Sequence, residues 1–527
     1  MLASPITRRR WLSIAGTAAG AWALAGCSPP LPQSSGAQPG QAAGTPAPRR
    51  GGSIRIGQVI DVTNLDPATL QQQDYPTKFA VFDRLIQYDD NVTPQPMLAE
   101  SFQLSPDAQQ LRLKLRQGVQ FHTGRELTSD DVKFTLLRLK DPKVGIGQLA
   151  TMGAWVSDVS TPDKYSVVIQ MDRARPAIFD LLEYLHIADA QSLQGPDAAS
   201  TMIGTGAFKF DSWLPGDHMR LVRNENYWQP GVPYADEWLV MVVKDPQALQ
   251  AQLEAGAVDI VDLAAVSDAV RLKDDKNFHV VPNPNAGNYW AIIANTGVPP
   301  LDDKRVRQAL NYAINRQRIV DVVFQGTTQA QDLVWPQGSP AYEAAKTNLY
   351  TFDLNKATML LQDAGVSNLE FDGIYGADNP NEAGIMQIFQ SDLAQIGVTL
   401  TLRPLDAAAR SAATNNAQYR GVSAYQGTFA QLEPSTIFVI TIAWNPSRNA
   451  AAFKNDQYTQ LVDAVTTEAD ASRRRQLYSN LNDFVLDQSF IMLISRAYAS
   501  SIAGAKVQGL HYDLSGGTVA RDAWLSA

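Results

Sequence analysis

The side chains best suited to acid–base, nucleophilic or metal chemistry are few in this chain and form no catalytic pattern. The sequence contains no Gly-x-Ser-x-Gly turn, no phosphate-binding loop and no His-Glu-x-x-His zinc motif. Gly204-Thr205-Gly206 begins like a dinucleotide-binding loop, but Lys209 stands where the third glycine would be. The five histidines are too scattered to share a metal ion on one helix face: His122, His186, His218, His279 and His511. We therefore expect no catalytic residue, no metal site, no cofactor and no enzymatic activity.

The only cysteine, Cys27, stands where lipid-transfer chemistry would require it. It ends Leu24-Ala25-Gly26-Cys27, which is similar to the lipobox at which bacterial lipoproteins are alkylated and cut. Three arginines at 8–10 and a weakly apolar run at 12–25 precede it, as in a twin-arginine export signal. That run is shorter than the roughly 20 apolar residues of a membrane span. We predict an export signal at 1–26 and lipidation at Cys27; the alternative is an ordinary signal with a chance cysteine.

The composition of the segment that begins at Cys27 and the net charge of the chain narrow the classes of protein that are possible. Residues 27–50 are almost wholly Pro, Gly, Ala, Ser, Gln and Thr, a composition that cannot bury a core and predicts a flexible tether. The chain carries a net charge of −9, and loss of residues 1–26, with three arginines and no acid, would leave −12. A nucleic-acid binder needs a basic face, so we expect no nucleic-acid partner.

The secondary structure that would position any site is predicted to include both strands and helices. Alternating apolar and polar residues predict strands, and the mostly apolar nine-residue run 436–444 suits a buried one. Capping residues and glycines bound the predicted helices. The predicted strands are 53–57, 111–115, 165–169, 398–402 and 436–444, and the predicted helices are 129–139, 303–324, 355–364, 381–396 and one or two within 456–487. The chain is therefore expected to be α/β or α+β.

Aromatic residues in loops and at strand ends are the best candidates for binding a small molecule. They bury much area at little entropic cost and commonly line clefts, although core packing is the alternative for each of them. The candidates are Tyr227-Trp228, Trp238, Tyr289-Trp290, Trp335, Tyr425 and Trp444.

Nine short segments, in one consistent order along the body, resemble family 5 of the bacterial extracytoplasmic solute-binding proteins, which are peptide and nickel receptors of ABC importers. They are residues 51–54 (GGSI), 64–67 (NLDP), 82–85 (FDRL), 96–102 (PMLAESF), 115–124 (LRQGVQFHTG), 127–132 (LTSDDV), 203–208 (IGTGAF), 224–228 (NENYW) and 299–310 (PPLDDKRVRQAL).

The resemblance implies a fold, partners and a location. The fold is that of a type II periplasmic binding protein, a Venus flytrap with an extra inserted domain. Domain I would comprise residues 51–78, 201–284 and 499–527, domain II residues 79–200, and domain III residues 285–498. The implied protein is a lipid-anchored extracytoplasmic monomer that captures a peptide or small molecule. It would close over that ligand and deliver it to the permease and ATPase of the importer.

The resemblance also bears on the class of ligand, because one binding residue of the family's peptide receptors is replaced here. In the family's peptide receptors an aspartate three residues before an acid-Pro pair binds the ligand's ammonium group. Here the pair is Glu433-Pro434, and Ala430 occupies the aspartate's position. Free-peptide binding is therefore in question, and an acylated, cyclic, sugar or metal-chelate ligand stays open. Glu433 is either a substitute anchor or a structural acid, whereas Gly204 and Gly206 are taken as structural.

We predict ligand contacts for seven residues: Gln71, Tyr75, Tyr289, Trp290, Tyr425, Glu433 and Trp444. Two other functional classes stay open at this point. One is a secreted hydrolase held by the same anchor, and the other is a sensory or structural lipoprotein of the same fold that transports nothing.

Overall fold

The structure, a computed structural model, describes residues 47–144, 147–195 and 198–526, except for the side chains of residues 284–286 and 498. The predicted export signal, Cys27 and most of the predicted tether lie outside the described residues. The strands are β1 (Ser53–Gln58), β2 (Ile86–Tyr88), β3 (Pro94–Pro96), β4 (Ala99–Leu104), β5 (Gln110–Leu115), β6 (Val156–Asp163), β7 (Ser166–Met171), β8 (Phe208–Leu214), β9 (His218–Arg223), β10 (Glu237–Val242), β11 (Ile260–Val261), β12 (Phe278–Ala294), β13 (Glu370–Gly376), β14 (Thr399–Leu405), β15 (Gly421–Gly427), β16 (Ile491–Gly504), β17 (Val507–Gln508) and β18 (Trp524–Leu525).

Helices alternate with these strands along the body. They are α1 (Tyr75–Val81), α2 (Ser129–Arg138), α3 (Gly147–Gly153), α4 (Ile178–Tyr184), α5 (Ala190–Leu193), α6 (Pro246–Glu254), α7 (Val266–Leu272), α8 (Lys304–Tyr312), α9 (Arg316–Val322), α10 (Leu354–Asp363), α11 (Pro380–Ala394), α12 (Ala407–Asn415), α13 (Pro434–Ile440), α14 (Asp456–Thr467) and α15 (Ala471–Gln488). The expectation of a mixed α/β chain is confirmed.

One ten-stranded sheet runs through most of the body, in the order β14-β13-β15-β12-β16-β11-β1-β10-β9-β8. Its two longest strands, β12 and β16, pair antiparallel from Phe278↔Gly504 to Ile293↔Ile491. On one side of this pair β1 lies parallel to β10 and β11, and on the other side β13 lies parallel to β14 and β15. The two long strands therefore connect two lobes built on the same sheet.

A separate four-stranded antiparallel sheet, β4-β5-β7-β6, forms the frame of the inserted region. Its buried face packs with α2, α3 and α4 into a hydrophobic cluster that includes Leu113, Val132 and Leu181. The clusters on the ten-stranded sheet contain different stretches of chain: residues 54–82, 188–272 and 502–523 in one lobe, and 289–497 in the other. This grouping resembles the predicted three domains, whose bounds stay a prediction.

The helix boundaries follow local capping chemistry. Asp353 caps α10 by accepting a hydrogen bond from the Lys356 backbone N–H at 2.9 Å, and Asn379 caps α11 in the same way. Both helices end shortly before a glycine in the left-handed region, Gly365 at φ +72° and Gly397 at φ +74°. The predictions of helices at 355–364 and 381–396 are confirmed.

The other element predictions are largely confirmed as well. β1, β5, β7 and β14 cover the predicted strands, α2 covers the predicted helix, and α14 and α15 divide 456–487. The cap of α2 is Thr128 rather than Ser129 or Asp130, because Thr128 and Asp131 form a reciprocal capping box.

Two element predictions are wrong. The helix predicted over 303–324 is two helices, α8 and α9, because Asn315 leaves the helical conformation and caps the second by accepting from the Arg318 N–H at 3.0 Å. Residues 436–444, predicted as a strand, lie mostly in α13, which begins at Pro434 behind the capping carboxylate of Glu433. A short apolar run buried on all sides has no period that separates strand from helix.

Candidate functional site

Two adjoining cavities lie between the lobes and share Gln72 and Asn288 in their walls. The first, of about 290 Å³, is lined by Trp290, Phe324 and Gln426 of one lobe and by the segment 263–266 of the other. The second, of about 200 Å³, is lined by residues from all three predicted domains. The shared residues make the two cavities one cleft.

An irregularity in the long strands places asparagines in this cleft. The β12–β16 register shifts between Asn283 and Asn288. Gly287, within the shift, has φ +62°, a conformation that favours glycine, and its carbonyl accepts from the Ala430 N–H at 3.1 Å. The extra length of β12 lets both Asn283 and Asn288 line the second cavity.

One wall of the cleft is a turn that is fixed from beneath by a buried ion pair. Gln71, Gln72 and Tyr75 line the second cavity at the start of α1. The carboxylate of Asp74 accepts from the Gln71 N–H at 3.0 Å and from the Lys78 ammonium at 3.2 Å, and both charged side chains are fully buried. The turn therefore presents its polar side chains to the cleft on a rigid support.

One hydroxyl group at the second cavity joins residues of all three predicted domains. Tyr184 donates its hydroxyl to the Ser515 carbonyl at 3.1 Å and accepts from Nε2 of Gln431 at 2.8 Å. Behind Ser515, the guanidinium of Arg84 lies 2.8 Å from Glu183 and 2.7 Å from Asp513. This network connects α4, the C-terminal segment and the loop before α13.

Burial controls the titration of the acids behind this wall. Burial raises the pKa of Glu183 to about 8, although the nearby Arg84 lowers it in part. Burial likewise raises the pKa of Asp180 to about 7, against the lowering effect of its hydrogen bond from Thr436. These carboxyl groups are therefore held nearer to neutrality than exposed acids.

The structure brings three of the seven predicted ligand contacts to the cleft. Gln71 and Tyr75 line the second cavity and Trp290 lines the first. The indole of Trp290 stacks on Phe324 with ring centroids 5.7 Å apart, which fixes its orientation.

The other four are not among the lining residues of these cavities. Trp444 donates its indole N–H to the hydroxyl of Tyr289 at 2.7 Å inside the core of the second lobe, and the ring of Tyr425 packs 6.2 Å from Tyr289. Glu433 caps α13 and accepts from Arg474 at 3.0 Å and from the Tyr478 hydroxyl. Their contact with a ligand stays a prediction, and the structure gives each a packing or capping role.

Many cleft residues were missed from the sequence, and seven of those that line the two cavities are amides. Asn283 and Asn288 belong to the Asn-rich stretch 283–288, and Gln72 follows Gln71 directly. Amides close together in the sequence, as in Gln71-Gln72 and in 283–288, were a usable signal. Gln431 and Tyr184 had none, because only the tertiary fold brings them together.

The part of the chain that the structure describes has neither a cluster of metal-ligating side chains nor a long apolar helix. No group of three or more His, Cys, Asp or Glu side chains is arranged there to hold a metal ion. Nor does any helix within 47–526, among the described residues, have the length and apolar character of a membrane span.

Comparisons with known proteins agree with this geometry. The sequence model of "Bacterial extracellular solute-binding proteins, family 5 Middle" matches residues 93–441. The glutathione-binding protein GsiB of Escherichia coli K12 is 27% identical over 424 residues, covering 77% of this chain and 81% of GsiB. Among solved structures, the substrate-binding protein CtaP of Listeria monocytogenes has a TM-score of 0.82 at 22% identity, covering 91% of this chain and 100% of that one. DppA of Helicobacter pylori, in complex with the peptide STSA, has a TM-score of 0.76 at 21% identity over 91% and 99%.

Proposed function

The chain belongs to the family 5 bacterial extracellular solute-binding proteins, and we propose that its interlobe cleft captures an oligopeptide-class solute. The fold is the two-lobe, type II binding-protein fold, and the role is that of the substrate-binding receptor of an ABC importer. Relatives and neighbours carry glutathione and a peptide in their names, which supports the solute class proposed for this chain.

The observation that carries this proposal is the cleft itself. Its two cavities, about 290 and 200 Å³, meet at Gln72 and Asn288 and draw their walls from both lobes. Small-molecule sites commonly enclose about 300–1,000 Å³, so the cleft has a suitable size. Gln71, Tyr75 and Trp290 are the proposed contacts, while Tyr289, Tyr425, Glu433 and Trp444 support the walls around them.

Ligand capture follows from the way the two lobes are joined. β12 and β16 are the long connecting strands, and a ligand that touches both lobes stabilises the arrangement in which the lobes are together. The closed form is then recognised by a membrane permease, whose ATPase drives import. Residues 51–78, 201–284 and 499–527 form domain I in this proposal, 79–200 form domain II and 285–498 form domain III.

Export and anchoring complete the proposal. The arginines at 8–10 direct the chain to the twin-arginine route, and Cys27 carries the lipid that holds the monomer at the outer side of the membrane. Residues 28–50 act as the tether between the lipid and the body.

Native mass spectrometry of the purified full-length protein tests the receptor function. A bound solute of defined mass, lost on denaturation and rebound with saturation, is the expected result. Turnover of an ester, peptide or glycoside panel would instead favour an anchored hydrolase. If no peptide, sugar or chelate library raises the melting temperature, a non-transport lipoprotein of the same fold is favoured.

A further inference from the structure

The cleft is notable for the chemistry of its walls. The described lining residues of the two cavities include no Asp, Glu, Lys, Arg or His. Their polar groups are mainly amides and hydroxyls, and the amides are Gln71, Gln72, Gln148, Asn283, Asn288, Asn381, Gln426 and Gln431. A buried ammonium or carboxylate on a ligand would find no counter-ion among these groups, and an unpaired buried charge is costly.

Two of these amides have an unsatisfied oxygen. Asn283 is 3% exposed and Gln431 is 2% exposed, and neither Oδ1 of Asn283 nor Oε1 of Gln431 has a hydrogen-bond partner among the described residues. Nε2 of Gln431 donates to the Tyr184 hydroxyl, which in turn donates to the Ser515 carbonyl, and this arrangement leaves Oε1 of Gln431 without a donor. Both oxygens can therefore accept hydrogen bonds from N–H or O–H groups of a ligand.

The acids nearest to these amides are already used. The carboxylate of Asp513 accepts from Arg84 at 2.7 Å, from the Ser515 hydroxyl at 2.5 Å and from the Gly517 N–H at 2.8 Å. Asp74, beneath the Gln71 turn, is fully buried and paired with Lys78. Neither carboxylate is among the lining residues, so neither takes the place of the aspartate that Ala430 replaces.

A largely apolar chamber of about 340 Å³, whose wall also includes Lys273 and Ser500, adjoins the first cavity and shares Ala264, Val266 and Thr327 with it. Ala269 and Val270 of α7 and Val280 of β12 supply more of its wall. Thr327 comes from the second lobe and the others from the first, so the chamber also lies between the lobes.

We propose that the cleft binds an uncharged, amide-bearing peptide, blocked or cyclised at its termini, whose apolar arm fills this chamber. This proposal rests on the receptor function proposed above. The amide walls exchange hydrogen bonds with the neutral peptide groups, and the chamber selects for the arm.

Three tripeptides test the ligand class by calorimetry on the full-length protein in detergent: Ala-Leu-Ala with free termini, its N-acetylated and C-amidated form, and the equally blocked Ala-Ala-Ala. The blocked leucine peptide is expected to bind at least about 100-fold tighter than the free one, because the free one buries unpaired charges. Its advantage over the blocked alanine peptide is expected to be about tenfold, from burial of the longer apolar side chain.

A free peptide that binds equally well would overturn the charge assignment and leave the receptor function intact. Preferential binding of a neutral disaccharide, run in parallel, would overturn the peptide assignment. Failure of every probe in this panel counts against the peptide assignment alone if native mass spectrometry shows another solute bound, and against the receptor function if it shows none.

Two variants locate the determinants. Gln72→Glu puts a carboxylate on an exposed residue shared by both cavities, and it is expected to improve binding of the free peptide at least tenfold without a similar gain for the blocked one. Ala269→Phe fills the chamber and is expected to abolish the preference for leucine while sparing the blocked alanine peptide. Ala251→Phe, on the exposed face of α6, is the matched control. Retention of the leucine preference in Ala269→Phe would contradict the role of the chamber.

Discussion

At the scale of single residues, Gly204 and His122 explain why two separate sequence motifs belong together. The imidazole of His122 donates from Nε2 to the Gly206 carbonyl at 3.0 Å, and Nδ1 accepts from the Gly204 N–H at 3.4 Å. A Cβ on Gly204 would lie 2.1 Å from the Val81 carbonyl oxygen. Gly204→Ala is therefore expected to lower the free energy of unfolding by about 1–3 kcal/mol, as overpacking does, measured by urea denaturation.

Gly504→Ala is the control for that substitution. A Cβ on Gly504 would meet its nearest atom, the Asp259 carbonyl oxygen, at 3.7 Å, an ordinary contact. If Gly204→Ala proves no more destabilising than this control, the close backbone approach at Gly204 is not a constraint on the fold.

Asp180 gives a residue-scale prediction about pH. It accepts from the Tyr88 hydroxyl at 2.7 Å and from the Glu433 N–H at 3.3 Å, and burial raises its pKa from 3.8 to about 7. Between these two values the folded chain keeps a proton that the unfolded chain has released. Stability from this group is therefore lost as the pH rises from about 4 to about 7, with a slope approaching 1.4 kcal/mol per pH unit.

Asp180→Asn is expected to remove this part of the pH dependence when unfolding free energies are measured from pH 5 to pH 8. Glu183, Glu433 and Arg84 remain in the variant, but the charge of Asp180 contributes to the raised pKa of Glu183, so the difference between variant and wild type measures Asp180 together with its effect on Glu183. The exposed Asp274 provides a matched control through Asp274→Asn. An unchanged slope in Asp180→Asn would contradict the prediction.

At the scale of elements, the bulge in β12 links the connecting strands to the ligand. Gly287 adopts φ +62°, and a Cβ there would lie 1.5 Å from Gln431 Oε1. Gly287→Ala is therefore expected to displace Gln431 and to weaken ligand binding at least tenfold, the effect of losing about 1.4 kcal/mol, as measured by calorimetry with the co-purified solute.

The same β12–β16 pair supplies the control for this element. Gly504 lies at the far end of β16, opposite Phe278, and Gly504→Ala should leave the affinity unchanged. Equal losses of affinity in both variants would mean that the strands as a whole, and not the bulge, set the binding geometry.

Several elements with their own boundary chemistry could be predicted from the sequence, although the Asn315 cap between α8 and α9 was missed, and an element defined by burial could not. Asp353 and Gly365 bound α10 through local hydrogen bonding and backbone conformation, which any reading of the sequence can use. In contrast, α13 packs its apolar residues against both the core of the second lobe and the inserted domain. Because this segment is buried on every side, its apolar residues show no helical period in the sequence, and the strand prediction for 436–444 was wrong.

At the scale of the whole molecule, the fold and the receptor class could be predicted, but most of the cleft could not. The motifs from residue 51 to 310 indicated the family because their order along the chain can be recognised without knowing any tertiary contact. The cleft depends on a register shift at Gly287 and on Tyr184 meeting Gln431 across 247 positions of sequence. Composition and spacing carry no information about such meetings, so aromatic candidates such as Tyr289 and Trp444 were chosen and amides were missed.

The acidic balance of the whole chain makes the proposed anchor testable. Without residues 1–26 the chain has a net charge of −12, and an acidic body is repelled by anionic lipid head groups. We therefore expect the lipid on Cys27 to be the sole attachment to the membrane. In Cys27→Ala the protein should leave the membrane fraction, and its mass spectrum should lack a diacylglyceryl group. Persistence of Cys27→Ala in salt-washed membranes would contradict the anchor.

The export route is tested by replacing Arg8 and Arg9 together by lysine. This double substitution should stop export while leaving the cytoplasmic chain folded, because the twin-arginine route carries folded proteins. Export of the double-lysine variant at the wild-type level would contradict the route.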